Sequence, residues 1–302
     1  MLISILTPSY NRAHLLPRLF ESLCRQTNHD FEWLVVDDGS IDNTKDVILE
    51  IANSQDRKKE CGKEYLSVRY IQKENGGKHT AVNVGIEHAL GELVFIADSD
   101  DMLVPDALEK VAQAYQYIKG NPLYGGVVGL DCIEDGKIVG NGLPQEAISC
   151  NAIDIRYRYH VTGDMKEVYR TEVMKEFSFP EIIGEKFSPE QLTWFRIAQK
   201  YQLYYFNQPI YMAEYQADGI TASITKARMN SPIASMMCYA ELCGYDIPLK
   251  EKVKAAINFY RFQACLTREH ADRNRNMIPH LSIKWLWTKP LGRLMHKRDK
   301  RT

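Results

Sequence analysis

Two aspartates, Asp98 and Asp100, stand two positions apart directly after an apolar run that ends at Ala97. In an extended backbone, side chains two residues apart point to the same side, so both carboxylates face one place. Neighbouring anions repel each other, and a divalent cation such as Mg²⁺ or Mn²⁺ relieves that repulsion while it also binds phosphate groups. Taken alone, the same tripeptide is more often a solvated acidic turn than a cation site. The pair therefore indicates a cation site without establishing one.

Three further polar clusters follow apolar runs, at Thr7 to Arg12, Asp37 to Ser40 and Asn75 to His79. A carboxylate such as Asp37 can accept hydrogen bonds from a base or ribose, or it can cap the turn that follows. Lys78 stands where a helix begins and can hold a diphosphate, although an exposed lysine in a glycine turn explains it equally well. No G-x-G-x-x-G pattern follows the first run, which disfavours a dehydrogenase-type dinucleotide site.

The segments that must position these clusters alternate between strands and helices. Apolar runs begin near residues 2, 31, 66 and 93, and each interval leaves room for a helical crossover. This alternation predicts an α/β fold with a mostly parallel sheet and helices on its faces. In such sheets, ligands bind beyond the carboxyl ends of the strands, where all four clusters fall.

The second half of the chain has a less regular pattern. Helices are predicted around 171–176 and 189–200, and the chain from about Lys226 onward reads as helical. Strands are predicted over 125–131, 137–139, 203–206 and 209–215, and residues 163–170 lead into the first of these helices.

The composition excludes several classes of protein. With 302 residues, 45% hydrophobic and 25% charged, the chain is typical of a globular protein. Its 38 Lys+Arg against 39 Asp+Glu argue against a nucleic-acid binder. No run approaches the roughly 18 apolar residues of a membrane span, and no secretory signal pattern opens the chain. Seven scattered cysteines predict neither a disulfide framework nor a zinc ribbon, and a reducing cytoplasm is the simplest compartment.

Together, the four clusters resemble the family 2 glycosyltransferases, whose catalytic domain has the nucleotide-diphospho-sugar transferase (GT-A) fold. The resemblance covers roughly residues 1–220 and implies a mostly parallel central sheet flanked by helices. It implies a catalytic domain over 1–225, with a nucleotide-binding half (1–118) and an acceptor half (119–225), and a helical C-terminal extension over 226–302. The matching segments are Thr7-Pro-Ser-Tyr-Asn-Arg12, Val36-Asp-Asp-Gly-Ser40, Asn75-Gly-Gly-Lys78 with Ala81-Val-Asn83, and Ala97-Asp-Ser-Asp-Asp101.

The resemblance also implies roles for single residues. Asp37 is expected to contact the base, in a pocket that Thr7 and Tyr10 line. Asp98 is expected near the ribose and diphosphate, and Asp100 is expected to ligate the divalent cation, Mg²⁺ or Mn²⁺. The other residues expected to contact the nucleoside-diphosphate sugar are Pro8, Arg12, Lys78, Asn83 and Ser99.

The mechanism that the resemblance implies is inverting. A carboxylate takes the proton from an acceptor hydroxyl while that oxygen attacks the anomeric carbon. The family usually supplies this base from a Glu-Asp pair at the start of a late helix, and here Glu190 and Gln191 stand at that place. Because an amide cannot act as a base, Glu190 is the candidate, although an acid in a first helical turn also simply stabilises the helix. Further on, Asp218-Gly-Ile-Thr221 resembles a loop that closes near the donor.

The last residues of the chain combine cations with apolar side chains. Such a composition suits a helix on an anionic membrane surface, and it equally suits a docked helix with a solvated basic end. An anionic membrane surface is thus a candidate partner of residues 284–302. The protein is then expected to be cytoplasmic and peripheral on the inner face of the membrane. The residues concerned are Lys289, Arg293, Lys297, Arg298, Lys300 and Arg301, with Ile283, Trp285, Leu286, Trp287, Leu291, Leu294 and Met295.

The function expected from this sequence is metal-dependent transfer of a sugar, from a UDP-sugar or a similar donor, to a glycan or lipid-linked acceptor in polysaccharide biosynthesis. A nucleotidyltransferase shares a related sheet but normally opens with a Gly-rich, basic loop, which Pro8-Ser-Tyr10 does not provide. A non-catalytic module that binds sugar nucleotides or glycans is the second alternative, which Gln191 keeps open and the intact Asp98 and Asp100 oppose. No nucleic-acid partner is expected.

Overall fold

The computed structural model of the chain describes residues 1–53, 66–214 and 223–300. The chain forms two compact units. The first unit comprises Met1–Ser178 and Arg196–Tyr215, and the second comprises Phe179–Phe195 and Gln216–Thr302. The division into domains at residues 225 and 226 stays a prediction.

The first unit opens with alternating strands and helices, and their strands pair in parallel. Strand β1 pairs with β2 and with β4, and β2 pairs with β3. The predicted parallel alternation over the first hundred residues is confirmed. In chain order the elements are β1 (Ile3–Ser9), α1 (Leu16–Cys24), β2 (Phe31–Asp37), α2 (Thr44–Asn53), β3 (Ser67–Gln72), α3 (Lys78–His88) and β4 (Leu93–Ile96).

The sheet continues with strands from the second half of the chain. The elements are β5 (Met102–Leu103), α4 (Ala107–Ile118), β6 (Tyr124–Cys132), β7 (Ala147–Cys150), α5 (Asp154–Tyr157), β8 (Met165–Arg170), α6 (Thr171–Glu176), α7 (Glu190–Ile197) and β9 (Gln202–Met212). The strand order is β3-β2-β1-β4-β8-β6-β9-β5, with β7 paired to β9.

The sheet is mostly parallel, as predicted. Strand β8 is antiparallel to both β4 and β6, and β6 is parallel to β9. Strands β1 to β4, β6 and β9 therefore run in one direction, whereas β5, β7 and β8 run the other way. The carboxyl ends of β4, β6 and β9 and the amino end of β8 consequently meet at the edge where β1 to β3 also end.

Three local predictions differ from the structure. The strand expected over 137–139 is reduced to a single bridge between Cys132 and Ile138. The two strands expected over 203–206 and 209–215 are one strand, β9, whose pairing with β6 contains irregularities. Strands β5 and β7 have two and four residues, too short to show an alternation in the sequence.

One apolar core positions the strand ends of the first unit. Trp33 and Phe95 are completely buried in it, and Trp33 stacks on Phe20 with ring centroids 5.7 Å apart. On the other side of the sheet, a Cβ atom at Gly85 of α3 would collide with the Leu6 side chain of β1. This close approach fixes α3 against β1 and thereby fixes the position of its first residue, Lys78.

The second unit is helical from residue 224, which confirms the predicted helical C-terminal extension. Its main core joins α9 and α10 through Met236, Phe259, Tyr260 and Phe262. Within the described ranges, no helix is both long enough and apolar enough to cross a membrane. The helices are α8 (Ile224–Asn230), α9 (Pro232–Leu242), α10 (Leu249–Gln263), α11 (Arg268–Arg273) and α12 (Lys289–Asp299), with 3₁₀ turns at Arg275–Met277 and Ile283–Thr288.

The cysteines correct one detail of the sequence analysis. Cys24 is disulfide-bonded, which the scattered spacing of the cysteines did not predict. The free thiols are Cys132, Cys150, Cys238, Cys243 and Cys265.

Candidate active site

The loops that follow β1 and β2 are bound to each other. The Asp38 amide donates to the Ser9 carbonyl at 2.8 Å, and the Asn11 amide donates to the Ser40 hydroxyl at 2.9 Å. The Asn11 side chain in turn accepts from the Ile41 amide at 2.9 Å. Asn11 has a φ of 53°, a left-handed conformation in which asparagine is enriched. The first two polar clusters therefore form one fixed loop pair at the strand ends.

Asp37, the last residue of β2, is buried at this edge. Its Oδ1 accepts from the Ser40 amide at 2.8 Å, and its Oδ2 accepts from the Tyr70 hydroxyl at 2.6 Å. Burial, the hydrogen bond to Asp37 and the negative charge of Asp37 raise the pKa of Tyr70, so the phenol keeps its proton and donates. A carboxylate has about four acceptor positions, and two of them are occupied here. The other two positions receive no hydrogen bond from the described residues.

Asp38 holds the third cluster in place. Its Oδ1 accepts from Lys73 Nζ at 2.8 Å and from the Gly76 amide at 2.9 Å. Its Oδ2 accepts from the Gly77 amide at 2.7 Å and from Asn75 Nδ2 at 3.1 Å. All acceptor positions of this buried carboxylate are thus used within the protein. The role of Asp38 is to anchor the loop that leads into α3.

Lys78 and Asp98 form an ion pair across this edge. Lys78 is the first residue of α3, and its Nζ lies 2.6 Å from Oδ1 and 2.9 Å from Oδ2 of Asp98. Burial acts to raise the pKa of Asp98, but the charges of Lys78 and Lys166 outweigh it and lower that pKa. Asp98 is therefore ionised at neutral pH. The Lys78 ammonium and the start of α3 together offer positive charge to an anionic ligand.

Asp100 is half-buried and has an unusual electrostatic environment. Burial and the negative charge of Asp98 raise the pKa of Asp100, while Arg12 and Lys78 act in the opposite direction. The Arg18 guanidinium binds the main-chain carbonyl of Asp100 at 2.5 Å, which fixes the backbone of the turn. Among the described residues, no side chain pairs with the Asp100 carboxylate. A cation bound there would relieve the repulsion between the two carboxylates.

The donor set at this corner fits Mg²⁺ or Mn²⁺. Across residues 1–53, 66–214 and 223–300, no three His, Cys, Asp or Glu side chains gather into a metal-binding group. A cation at this corner would have one or two carboxylate ligands, Asp100 and Asp98, rather than a complete cage of protein ligands. Mg²⁺ is typically bound in this way, with substrate phosphates and water as the other ligands.

The other predicted donor residues differ in exposure. The Thr7 hydroxyl accepts from the Trp33 indole at 3.0 Å, so the Thr7 side chain already has a partner inside the core. Tyr10 is 46% exposed beside the loop pair, where its ring is open to a planar ligand. Thr7, Pro8 and Ser99 are buried, and Arg12 and Asn83 are half-buried.

Lys166 is a cation at this edge that the sequence analysis missed. It lies at the amino end of β8, with its Nζ 3.6 Å from the centroid of the Tyr211 ring. Its charge helps to lower the pKa of Asp98, and it opposes the rise that burial causes in the pKa values of Asp101 and Asp131. Among the described residues, its ammonium has no ion-pair partner within hydrogen-bond distance. Only the pairing of β8 with β4 and β6 brings it here, so no sequence signal could have found it.

Two further buried carboxyl groups lie in the field of Lys166. Burial raises the pKa of Asp101 to about 6, and the Asp101 Oδ1 accepts from the Glu214 amide at 2.7 Å. Burial also raises the pKa of Asp131 to about 7. The Asp131 Oδ1 is buried without a hydrogen-bond partner in the described structure. The site therefore holds more acidic groups than the Asp-x-Asp pattern indicated.

Glu190 begins α7 and belongs to the second unit, whereas the predicted donor residues belong to the first. Its side chain is half-buried. The Cys238 thiol contacts Gln191 Oε1 at 3.9 Å, so Gln191 has a partner within its own unit. The loop Asp218-Gly-Ile-Thr221 lies outside the described residues.

The sheet order, the crossover helices and the acidic turn after β4 define the class of the first unit, the GT-A nucleotide-diphospho-sugar transferase fold. Residues 4–126 match the family model described as glycosyl transferase family 2. This match covers the opening part of the first unit and confirms the resemblance to the family 2 glycosyltransferases seen in the sequence.

Two solved structures share the fold. Staphylococcus aureus TarS in complex with UDP is 21% identical, with a TM-score of 0.60, covering 90% of this chain and 74% of that one. The mannosyltransferase PcManGT from Pyrobaculum calidifontis, in complex with GDP-Man and Mn²⁺, is 17% identical, with a TM-score of 0.55, covering 97% and 73%.

Curated relatives differ in how much of their length this chain matches. A GalNAc(5)-diNAcBac-PP-undecaprenol beta-1,3-glucosyltransferase of Campylobacter jejuni is 27% identical over 293 residues, which is 93% of this chain and 89% of the relative. An uncharacterized glycosyltransferase of Nostoc sp. is 34% identical over 116 residues, 38% of this chain. The chain spans only 33% of that Nostoc relative's length.

Proposed function

We propose that this glycosyltransferase is inverting and transfers a sugar from a nucleoside-diphosphate sugar, with UDP as the nucleotide, to a glycan or lipid-linked acceptor in polysaccharide biosynthesis. The observation that carries the proposal is the corner after β4, where Lys78 pairs with Asp98 and where none of the described side chains pairs with the Asp100 carboxylate. The C. jejuni relative, by its name, acts on an undecaprenol-linked glycan, and TarS binds UDP. Both support this choice of donor and acceptor.

The donor would lie along the carboxyl edge of the first unit. Asp37 retains acceptor capacity for the N–H groups of a base, and Tyr10 offers an exposed ring to stack on it. Lys78, Arg12 and the positive end of the α3 helix dipole provide positive charge for the diphosphate. Asp98, held by Lys78, faces the ribose and diphosphate. The negative charge on the departing nucleotide is thus met by groups already in place.

Asp100 would hold a divalent cation, with Asp98 close by. When bound, such a cation neutralises the diphosphate and makes it a better leaving group. The Mn²⁺ in the complex of PcManGT supports the choice of a divalent cation. This chain's own residues support it independently, because burial and the Asp98 charge raise the pKa of Asp100 and a bound cation would favour its ionised form.

Glu190 would act as the base. Its carboxylate would take the proton from the acceptor hydroxyl while the hydroxyl oxygen forms a bond to the anomeric carbon and the bond to the diphosphate breaks. Gln191 stands where the usual Glu-Asp pair has its aspartate. It has no carboxylate and therefore cannot accept the proton.

The acceptor is proposed to be lipid-linked and therefore to lie at a membrane. The enzyme would be peripheral on the inner face of that membrane.

The replacement Asp100→Asn tests the proposal. It removes the negative charge but keeps the shape of the side chain, so the fold should persist while Mn²⁺-dependent transfer falls by about 100-fold or more. Release of UDP from UDP-sugars with an undecaprenyl-diphosphate-linked acceptor measures the rate, and calorimetry with UDP and Mn²⁺ measures binding. Asp30→Asn, at an exposed position of the same unit, is the matched control.

An unchanged rate in Asp100→Asn would remove the cation site from the proposal. No release of any nucleoside diphosphate by the wild type, despite UDP binding, would favour the non-catalytic module instead. Release of inorganic diphosphate from a nucleoside triphosphate and a sugar phosphate would favour a nucleotidyltransferase.

A further inference from the structure

One face of helix α12 is buried within the second unit. Thr288, Gly292 and His296 are buried along this face, four residues apart. A Cβ atom at Gly292 would lie 2.5 Å from the Ile257 carbonyl oxygen, so α12 packs directly on α10. Near its end, Asp299 accepts from Arg261 Nε at 2.5 Å and from Nη2 at 2.8 Å. Helix α12 is thus a docked helix with a fixed orientation.

The opposite face of α12 and of the preceding 3₁₀ turn presents large apolar side chains to solvent. We call this surface the outer face of α12. It is formed by Ile283, Leu286, Trp287, Leu291 and Leu294, which are 83%, 49%, 59%, 46% and 65% exposed. Single exposed apolar residues are ordinary, but five on one short segment indicate an interaction site.

Cations flank these apolar side chains in a regular row. Lys289, Arg293 and Lys297 follow one another at intervals of four residues, and so do Leu286, Pro290 and Leu294. The two rows line a shallow groove of about 420 Å³. The sole acidic residue between positions 283 and 300 is Asp299, and Arg261 neutralises it. The outer face is therefore strongly positive as well as apolar.

We infer that the outer face of α12 docks on the surface of an anionic phospholipid bilayer. Leu286, Trp287 and Leu294 would enter the boundary between head groups and acyl chains, and the cationic row would bind lipid phosphates. Aromatic and aliphatic side chains beside lysine and arginine are the composition of helices that lie in a membrane interface. The inference rests on the proposed function for its lipid-linked acceptor, but its evidence comes from a different part of the chain.

Charge also argues against a second copy of this chain as the occupant. In a symmetric dimer the same patch meets itself, so Lys289, Arg293 and Lys297 would face their own counterparts. Like charges across an interface oppose association. An anionic bilayer can bury the apolar row and bind the cationic row, whereas a second copy can bury only the apolar row.

Sedimentation with vesicles tests the inference. The wild type should sediment with phosphatidylcholine vesicles that contain 30% phosphatidylglycerol as a chosen test composition, and not with phosphatidylcholine alone. Replacing Lys289, Arg293 and Lys297 together by glutamine should weaken the binding by about 100-fold, since each cation contributes several-fold near an anionic surface. The matched control replaces Lys250, Arg268 and Arg275, three exposed cations of the same unit, by glutamine and should bind like the wild type.

Trp287 reports on insertion independently of charge. Its fluorescence should shift to the blue with anionic vesicles in the wild type and in the control, and Trp287→Phe should lose that shift. Equal loss of binding in the two triple variants, or no binding by the wild type, would overturn the inference. So would a concentration-dependent dimer that Leu286→Ser and Leu294→Ser dissociate without any effect of vesicles.

Calorimetry with UDP and Mn²⁺ separates this inference from the proposed function. UDP binding should be the same in the wild type and both triple variants, because the substitutions lie outside the predicted donor residues. Absence of vesicle binding by the wild type, with intact UDP binding and turnover, refutes the lipid surface alone. Loss of UDP binding in the wild type, with vesicle binding intact, refutes the proposed function alone.

Discussion

Glu190 is the single residue on which the proposed proton transfer depends. Glu190→Gln removes the basic oxygen without changing the size of the side chain or the start of α7. Loss of a positioned general base typically lowers the rate by about 10²- to 10⁴-fold. We expect kcat to fall by that factor while the dissociation constants of UDP and of the UDP-sugar change less than about twofold.

The measurement is single-turnover transfer together with calorimetry on the same preparations. Glu181→Gln, at an exposed position of the same unit, serves as the control. If donor binding and turnover fell together in Glu190→Gln, Glu190 would have a structural role and the base would have to be sought elsewhere.

Asp37 and Asp38 show where sequence reasoning stops at the residue scale. The sequence singled out the cluster correctly as a strand end with two carboxylates. Only the structure shows that the Asp38 carboxylate accepts hydrogen bonds from Lys73 and from the Gly76 and Gly77 amides. Adjacent residues on a strand point to opposite faces, and the partners on each face come from distant parts of the chain. Composition alone therefore cannot divide the two roles.

At the scale of elements, the first unit could be predicted wherever local periodicity sets the structure. Strands β1, β2 and β4 are apolar runs bounded by turn residues, and the intervening helices have one apolar face. The position of β8 between β4 and β6 depends on pairing across long sequence separations, which no local pattern records. The same long-range pairing brings Lys166 to the site. Lys166 therefore could not be predicted as part of the site, because the pairing of β8 that places it there could not be predicted.

Helix α9 provides a prediction at the scale of a single element. Its first amides are capped by the buried carboxylate of Glu185, which accepts from Ile233 at 2.7 Å and from Ala234 at 2.9 Å. Burial raises the pKa of Glu185 to about 7, although these two hydrogen bonds oppose the shift. His270 Nε2 lies 3.1 Å from the same carboxylate, and burial and Arg273 lower the pKa of His270. The neutral form of both groups is thus favoured in the folded state.

The stability of the folded chain should depend on pH through Glu185. Between an ordinary pKa near 4.5 and the raised value near 7, the folded state binds more protons than the unfolded state. The free energy of unfolding therefore falls as the pH rises through this window, by at most roughly 3 kcal/mol from this group. The lowered pKa of His270 has the opposite effect, because it makes the free energy of unfolding rise with pH below about pH 6.5. This contribution remains when Glu185 is replaced.

Urea unfolding at pH 5 and pH 7.5 measures the effect. Glu185→Gln cannot ionise, so its stability should decline less between these pH values than that of the wild type. At pH 5 the variant should be the less stable protein, because an amide offers one acceptor oxygen where the carboxyl group has two. Parallel pH profiles for the two proteins would show that Glu185 does not titrate in this window.

At the scale of the whole molecule, the near-zero net charge hides an asymmetry. Residues 284–302 carry seven lysines and arginines and one aspartate, a net +6, which leaves −7 on the other 283 residues. The bulk of the chain is thus repelled by an anionic surface, and the C-terminal segment is attracted to it. This separation of charge favours approach to a membrane through the outer face of α12.

Salt should therefore affect transfer differently for two kinds of acceptor. Raising KCl from about 50 to 500 mM shortens the distance over which surface charges act from more than 10 Å to about 4 Å. The attraction between the cationic row and lipid phosphates weakens, so transfer to an acceptor embedded in anionic vesicles should fall several-fold relative to transfer to a water-soluble acceptor analogue. The ratio of the two rates cancels the effect of salt on donor binding, which is common to both. A ratio that stays constant across this range would mean that the positive C-terminal segment does not bring the enzyme to its acceptor.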